Sequence, residues 1–211
     1  MTIVNLPLGV LSTFPVLYPE FAIGGGGLDA LRSRRPPARW RNLDGREISF
    51  ANSFAHPRHT SEIGHGAIDI YAGFGCGVYS TVAGRVVEEW VTNSGRRPGV
   101  GFVPYDPTTP RDNQGGNYVM IEDQHGYHHY YAHMLFTPNL APGAPIRVGQ
   151  PLGRVGASGL PPRRMQHLHY QVSRRHGRIQ FINPYDELRR LVERDFPDAP
   201  FNSGGRVEIP M

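Results

Sequence analysis

Residues 117–133 read Asn117-Tyr118-Val119-Met120-Ile121-Glu122-Asp123, then Gln124-His125-Gly126, then Tyr127-His128-His129-Tyr130-Tyr131-Ala132-His133. The flanking runs are rich in aromatic and β-branched residues. The connector ends in a glycine, which supplies the positive φ that a tight reversal needs. The pattern predicts a β-hairpin with strands over 117–123 and 127–133. Strict alternation puts His129, Tyr131 and His133 on one face of the second strand. His128 and His129 read as a partly exposed sheet surface. His133 closes the strand, where a side chain can reach a cleft.

Similar short strand signals surround the hairpin. Residues 78–91 form a β-branched run broken at Ala83-Gly84, and 146–155 and 167–174 give further strands. Asn183-Pro184 opens the one convincing helix, over 185–196: Asn caps it, Pro takes its first position, and Leu188, Leu191 and Val192 share a face. Residues 92–116 carry four prolines and no periodicity, and read as a long functional loop or a solvated insertion. Residues 1–48 read as an irregular N-terminal extension, with a hinge at Gly24–Gly27 and a basic stretch at 32–41. The main domain is expected over 49–188, and 189–211 is the end of the helix and a tail. With 211 residues, 26 Gly, 20 Pro and 39% apolar residues, one turn-rich domain is expected, mainly β.

Composition removes several chemistries. All 22 basic residues are Arg. Without Lys there is no P-loop, no pyridoxal Schiff base, no biotinyl or lipoyl carrier site and no kinase phosphate clamp. The single Cys76 forbids an internal disulfide and a Cys-based zinc knuckle, and reads as a small buried side chain. The net charge of +4 suits an anionic partner such as a wall polymer. No basic stripe interleaved with aromatics appears, so nucleic acid is not an expected partner. No Gly-x-Ser-x-Gly elbow supports a serine hydrolase. No transmembrane run occurs, and the apolar start is interrupted by Pro7, Pro15 and Pro19, with no basic residue before Arg32.

All ten histidines lie between His56 and His176. In His65-Gly66-Ala67-Ile68-Asp69, the imidazole and the carboxylate are both good zinc ligands. On a straight strand they would stand roughly 13 Å apart, so joint ligation requires a bend, which Gly64 and Gly66 permit. In His167-Leu168-His169, alternation puts His167, His169 and Gln171 on one face and Leu168, Tyr170 and Val172 on the other. A carboxylate and several imidazoles on separate strands make the inventory of an open three-ligand zinc site with spare histidines for acid–base work. A dispersed set of structural or surface histidines is the alternative.

Together these residues resemble the lysostaphin-type (LytM-like, M23) zinc endopeptidases of bacterial cell walls, over about residues 54–188. The resemblance rests on His65-Gly-Ala-Ile-Asp69-Ile70, Gly77-Val78-Tyr79-Ser80, Ala83-Gly84-Arg85-Val86-Val87, Gly116-Asn117, Tyr131-Ala132-His133, the run 148–156, His167-Leu168-His169 and Asn183-Pro184. It implies a small antiparallel β core of the duplicated hybrid-motif type with long groove-walling loops and one C-terminal helix. It further implies one Zn2+ held by His65, Asp69 and His169, with a fourth position for water. His133 and His167 would be catalytic, and Asn117 and Tyr131 would contact substrate. The implied activity is hydrolysis of a peptide bond in peptidoglycan, in the cross-bridge or the stem. Ala67 stands where the family usually has Gly, Met165-Gln166 replaces the usual Gly-Pro, and the loops 92–116 and 158–166 are long. Two alternatives are a catalytically silent LytM-like activator module and a phosphotransfer or carrier domain. The missing Lys and the His65/Asp69 pair argue against the latter. The expected place of action is the periplasm or cell wall. A start with no basic residue before Arg32, and so without the features of a secretory signal, suggests a phage lysis protein or an injected effector, with a delivery system or an immunity protein as a further partner.

Overall fold

The hairpin forms as expected: β7 (Asn117–Asp123) pairs antiparallel with β8 (Tyr127–Met134). Its turn is closed by Gly126 at φ +75° and by the Asp123 carboxylate, which accepts the His125 and Tyr127 amides at 2.8 and 2.9 Å. The computed structural model describes residues 3–17, 48–55, 64–73, 75–87, 100–101, 115–135, 140–160, 166–176, 178–195 and 207–209. The hinge at Gly24–Gly27, the basic stretch 32–41, nearly all of the loop 92–116 and the middle of the loop 158–166 lie outside them.

Around the hairpin a mainly antiparallel β fold is built. The remaining strands are β1 (Val16–Leu17), β2 (Ile48–Phe50), β3 (Ile68–Tyr71), β4 (Gly77–Tyr79), β5 (Gly84–Val86), β6 (Val100–Gly101), β9 (Pro145–Ile146), β10 (Pro151–Arg154), β11 (His167–His176), β12 (Arg178–Ile182) and β13 (Val207–Ile209). The large sheet runs β13-β2-β3-β11-β8-β7-β5-β9, with β12 on β11 and β6 on β7; β1-β4-β10 form a smaller sheet. β11 therefore lies between β3 and β8, and that order brings three histidine-bearing segments side by side. The predicted run 78–91 divides into β4 and β5, with the turn where Ala83-Gly84 was read. Gly84 is required there, because a Cβ would come within 2.2 Å of the Glu122 carbonyl oxygen on β7.

Helix α1 (Tyr185–Asp195) follows Asn183-Pro184, and the Asn183 side-chain oxygen accepts the Tyr185 amide at 3.1 Å. Leu188, Leu191 and Val192 are fully buried, so the packed unit continues past the expected boundary at 188. It also begins earlier than residue 49. Leu6, Leu11, Phe14 and Val16 are buried, Phe14 meets Phe50 with ring centroids 5.5 Å apart, and Asn5 bridges to Asn183. Each such side chain removed from water contributes roughly 1.5–3 kcal/mol. The segment is locked by Glu187 of α1, which is buried, pairs with Arg190 at 2.9 Å, and accepts the Gly9 and Leu11 amides. Residues 3–17, largely irregular in secondary structure as expected, thus pack against the core. Scattered apolar residues in an aperiodic, proline-broken stretch carry no period from which this could be read.

A buried polar chain ties the hairpin to β11 from behind. Tyr131 bonds Thr81 Oγ1 at 2.7 Å, Thr81 bonds the Tyr170 hydroxyl at 3.0 Å, Tyr170 bonds His129 Nδ1 at 2.8 Å, and His129 Nε2 reaches Asp123 at 3.2 Å. With a neutral His129 every donor in the chain finds an acceptor. His129 is fully buried, so the expected surface position for it is corrected. Burial lowers its pKa, against the pull of Asp123. Burial alone would raise Asp123, but the hydrogen bonds from His129 and the turn amides bring it below the usual carboxylate value. Both depressed groups bind fewer protons folded than unfolded. Their contribution is complete above about pH 6.5 for His129 and about 3.8 for Asp123, and is lost as pH falls below those values. Thermal unfolding of metal-free protein from pH 7.5 to 4.5 should therefore show stability falling with acid. His129→Gln, which preserves both hydrogen-bonding ends, should remove up to about 1.4 kcal/mol per pH unit of that slope between pH 6.5 and 5. An unchanged slope would contradict the assignment.

Candidate metal centre

The first segment of the site is the approach to β3. Gly64 takes φ +73° and β3 starts only at Ile68, so the chain bends where the sequence pattern required it. Across that bend His65 Nε2 comes within 3.1 Å of Asp69 Oδ1. Gly66 is needed at the corner, since a Cβ there would lie 2.9 Å from the Phe181 ring. His65 Nδ1 lies 3.0 Å from the Ser53 carbonyl oxygen. A carbonyl only accepts, so Nδ1 carries the proton and Nε2 presents its lone pair.

β11 supplies the second segment. His169 is registered opposite Asp69 on β3 and Ala132 on β8. Its Nδ1 lies 3.0 Å from Asp69 Oδ1 and 3.3 Å from His65 Nε2. Leu168, Tyr170 and Val172 face the core, as the alternation predicted. His167 Nε2 stands 3.5 Å from the same Asp69 oxygen, and its ring packs against Tyr71 at 5.4 Å.

The third segment departs from alternation. Tyr131 and His129 point into the core-side polar chain, and a regular β8 would send His133 after them. Instead His133 adopts φ +63°, and four residues of β8 (131 to 134) oppose three of β7 (117 to 119). This β-bulge re-aims the side chain to the other face of the sheet. There the His133 ring stands 4.9 Å from His167 and 5.5 Å from His169. Its Nδ1 lies 2.9 Å from the Ser158 carbonyl oxygen, so again Nε2 is left with the lone pair. A left-handed non-glycine residue costs about 1–2 kcal/mol and recurs at functional sites.

Two overlapping groups result: His65, Asp69 and His169, and His133, His167 and His169, with the offered atoms in each group within 4.8 Å of one another. In the first group the donor atoms are 3.0, 3.1 and 3.3 Å apart. Ligands at 2.0–2.1 Å around a tetrahedral zinc lie roughly 3.3–3.4 Å apart, so this donor set fits such an ion. The electrostatics agree. Burial pushes His169 down to about 4 despite Asp69, and burial plus the neighbouring imidazoles hold His133 well below its ordinary value. Both are therefore neutral near pH 7 and offer lone pairs. Burial alone would raise the Asp69 carboxyl, but the His169 and His65 imidazoles beside it keep it far below the usual range, hence anionic.

The two residues expected to contact substrate are placed elsewhere. Tyr131 is fully buried, with its hydroxyl engaged by Thr81. Asn117 is buried and donates its side-chain amide to the Met134 and Leu135 carbonyls, both at 3.0 Å. Each is a framework residue that fixes β8. Sequence reasoning missed Ser53, Ser158 and Tyr130, whose ring stands edge-on to His169 at 6.2 Å. No local signal marks the two serines, because each meets its histidine through a backbone carbonyl. Cys76 is buried as expected, and burial raises its thiol to about 12.

Comparison with known proteins places this geometry. The L-Ala--D-Glu endopeptidase of Bacillus subtilis (strain 168) is 30% identical over 133 residues, which cover 59% of this chain and 34% of that protein. The chain thus spans about a third of the length of that relative. The crystal structure of LytM from Ruminococcus gnavus ATCC 29149 shares the fold, with TM-score 0.55 at 22% identity, over 86% of this chain and 61% of that one. The catalytic domain of lysostaphin from Staphylococcus simulans matches with TM-score 0.45 at 22% identity, over 74% of this chain and 99% of that one. The model of Peptidase family M23 matches residues 63–184, a span that runs from the bend before β3 to the cap of α1 and contains all five clustered side chains: the chain belongs to peptidase family M23.

Proposed function

We propose that this chain is a zinc-dependent endopeptidase that hydrolyses a peptide bond of bacterial peptidoglycan, in the cross-bridge or stem, acting at the cell wall or periplasm. The observation that carries the reading is Asp69 Oδ1, which three imidazole nitrogens approach at 3.0, 3.1 and 3.5 Å on a bent, buried frame. His65 Nε2, Asp69 Oδ1 and His169 Nδ1 would hold the zinc. A zinc ion bound by three protein groups supplies an electrophile for a peptide carbonyl and lowers the pKa of water. His133, neutral and with Nδ1 committed to the Ser158 carbonyl, offers Nε2 to take a proton. His167, beside both Asp69 and His133, is placed to stabilise developing negative charge and to relay the proton taken by His133 to the leaving amine. The family membership and the wall-peptidase relative support the substrate class.

The test is metal analysis of the purified chain together with mass spectrometry of peptidoglycan it has digested. One zinc per chain and new peptide fragments with free amino ends are expected. Bound zinc with no released peptides would instead indicate a catalytically silent member.

A further inference from the structure

Two serines repeat one device on opposite sides of the centre. Ser53 takes the His65 Nδ1 proton on its carbonyl at 3.0 Å, while its hydroxyl accepts the Asp69 amide at 3.1 Å and reaches the Ala67 carbonyl at 3.4 Å. One residue outside β3 thus pins both ends of the bend that joins His65 to Asp69. Ser158 takes the His133 Nδ1 proton on its carbonyl at 2.9 Å, while its hydroxyl donates to the Met134 carbonyl at 2.6 Å and accepts the Asn117 amide at 2.8 Å. It thereby grips β8 next to the bulge and the facing end of β7. The close approach is built in: Gly116, at φ +62°, has Ser158 backbone and side-chain atoms within 2.3–2.4 Å of where a Cβ would stand.

We propose that Ser53 and Ser158 are positioning residues with separable tasks: Ser53 presets the metal-holding pair His65–Asp69, and Ser158 presets the tautomer and aim of His133. In each case the hydroxyl anchors the residue to the strand, and the anchored carbonyl selects which ring nitrogen carries the proton. Groups that orient metal ligands in this way typically change metal affinity or activity by 10–100-fold when removed. Ser53 bonds to His65, Asp69 and Ala67, and Ser158 to His133, Met134 and Asn117, so the two effects divide. The assignment of tasks rests on the zinc-peptidase reading above, so one arm of the test is independent of activity.

Three readouts serve on the intact protein and on Ser53→Ala, Ser53→Thr, Ser158→Ala and Ser158→Thr. They are zinc affinity by chelator competition, amine release from purified sacculi at saturating zinc, and imidazole tautomers by nitrogen NMR of metal-free protein. Ser53→Ala should lose roughly 10–100-fold in zinc affinity and retain its rate at saturating zinc within about threefold. Ser158→Ala should hold zinc affinity within about threefold, lose roughly 10–100-fold in rate, and turn His133 from a single Nδ1–H tautomer into a mixture. Threonine, which keeps the hydroxyl, should restore each property. Affinity and rate falling together in both alanine variants, or a single His133 tautomer persisting in Ser158→Ala, would overturn the proposal. If the intact protein releases no amines from sacculi, the peptidase reading fails, while zinc affinity and tautomer still decide the roles of the two serines.

Discussion

Replacing His169 with alanine should leave the protein unable to retain zinc. His169 Nδ1 completes the triangle of donors at 3.0 Å from Asp69 Oδ1 and 3.3 Å from His65 Nε2. Without it a bound ion would keep two ligands of that triangle, His65 and Asp69. The loss should exceed the roughly 10–100-fold seen when an outer group is removed. After dialysis, metal analysis should find near one zinc per intact chain and near none in His169→Ala, with peptide release lost in parallel. The fold should survive. Leu168, Tyr170 and Val172 anchor β11 in the core from its other face, and Tyr170 remains bonded to Thr81 and His129. Metal-free melting temperatures of the two proteins should therefore lie close together. One zinc still bound to His169→Ala would remove His169 from the ligand set.

The elements that define this centre differ in how they are written in the chain. The bend between His65 and Asp69 was readable because a straight strand makes joint ligation impossible and glycines stand where the bend must be. The aim of His167 and His169 was readable because β11 is regular and its opposite face is apolar. His133 was not readable in the same way. Its return to the site depends on one extra residue in β8 and a left-handed φ, and no glycine marks the bulge. Alternation therefore grouped it with Tyr131 and His129, both of which point into the core. Asn117 and Tyr131 resemble site residues because they adjoin the site in sequence, yet their polar atoms are engaged by Met134, Leu135 and Thr81. The N-terminal segment escaped notice for a further reason. Its burial depends on α1 and on Glu187, almost the whole chain away, and long-range docking leaves no local period.

His133→Ala should give the converse of His169→Ala, with zinc retained and turnover lost. His133 is no member of the 3.0–3.3 Å donor triangle, and its ring stands 4.9 and 5.5 Å from those of His167 and His169. Removing a positioned acid–base group typically costs 10²–10⁴-fold, so peptide release should fall by about that factor at one zinc per chain. Alanine at this position also inherits a φ of +63°. A second variant separates the chemistry from the backbone: His133→Asn tolerates the left-handed conformation better than alanine but cannot move a proton near pH 7. Equal loss of turnover in both variants, with zinc unchanged, assigns the effect to the imidazole. A His133→Asn protein that cuts peptidoglycan at the intact rate would show that the bulge matters and the ring does not. If instead zinc is lost from His133→Ala as well as from His169→Ala, the metal-holding set is the group His133, His167 and His169, and His133 is a ligand rather than a proton-moving residue.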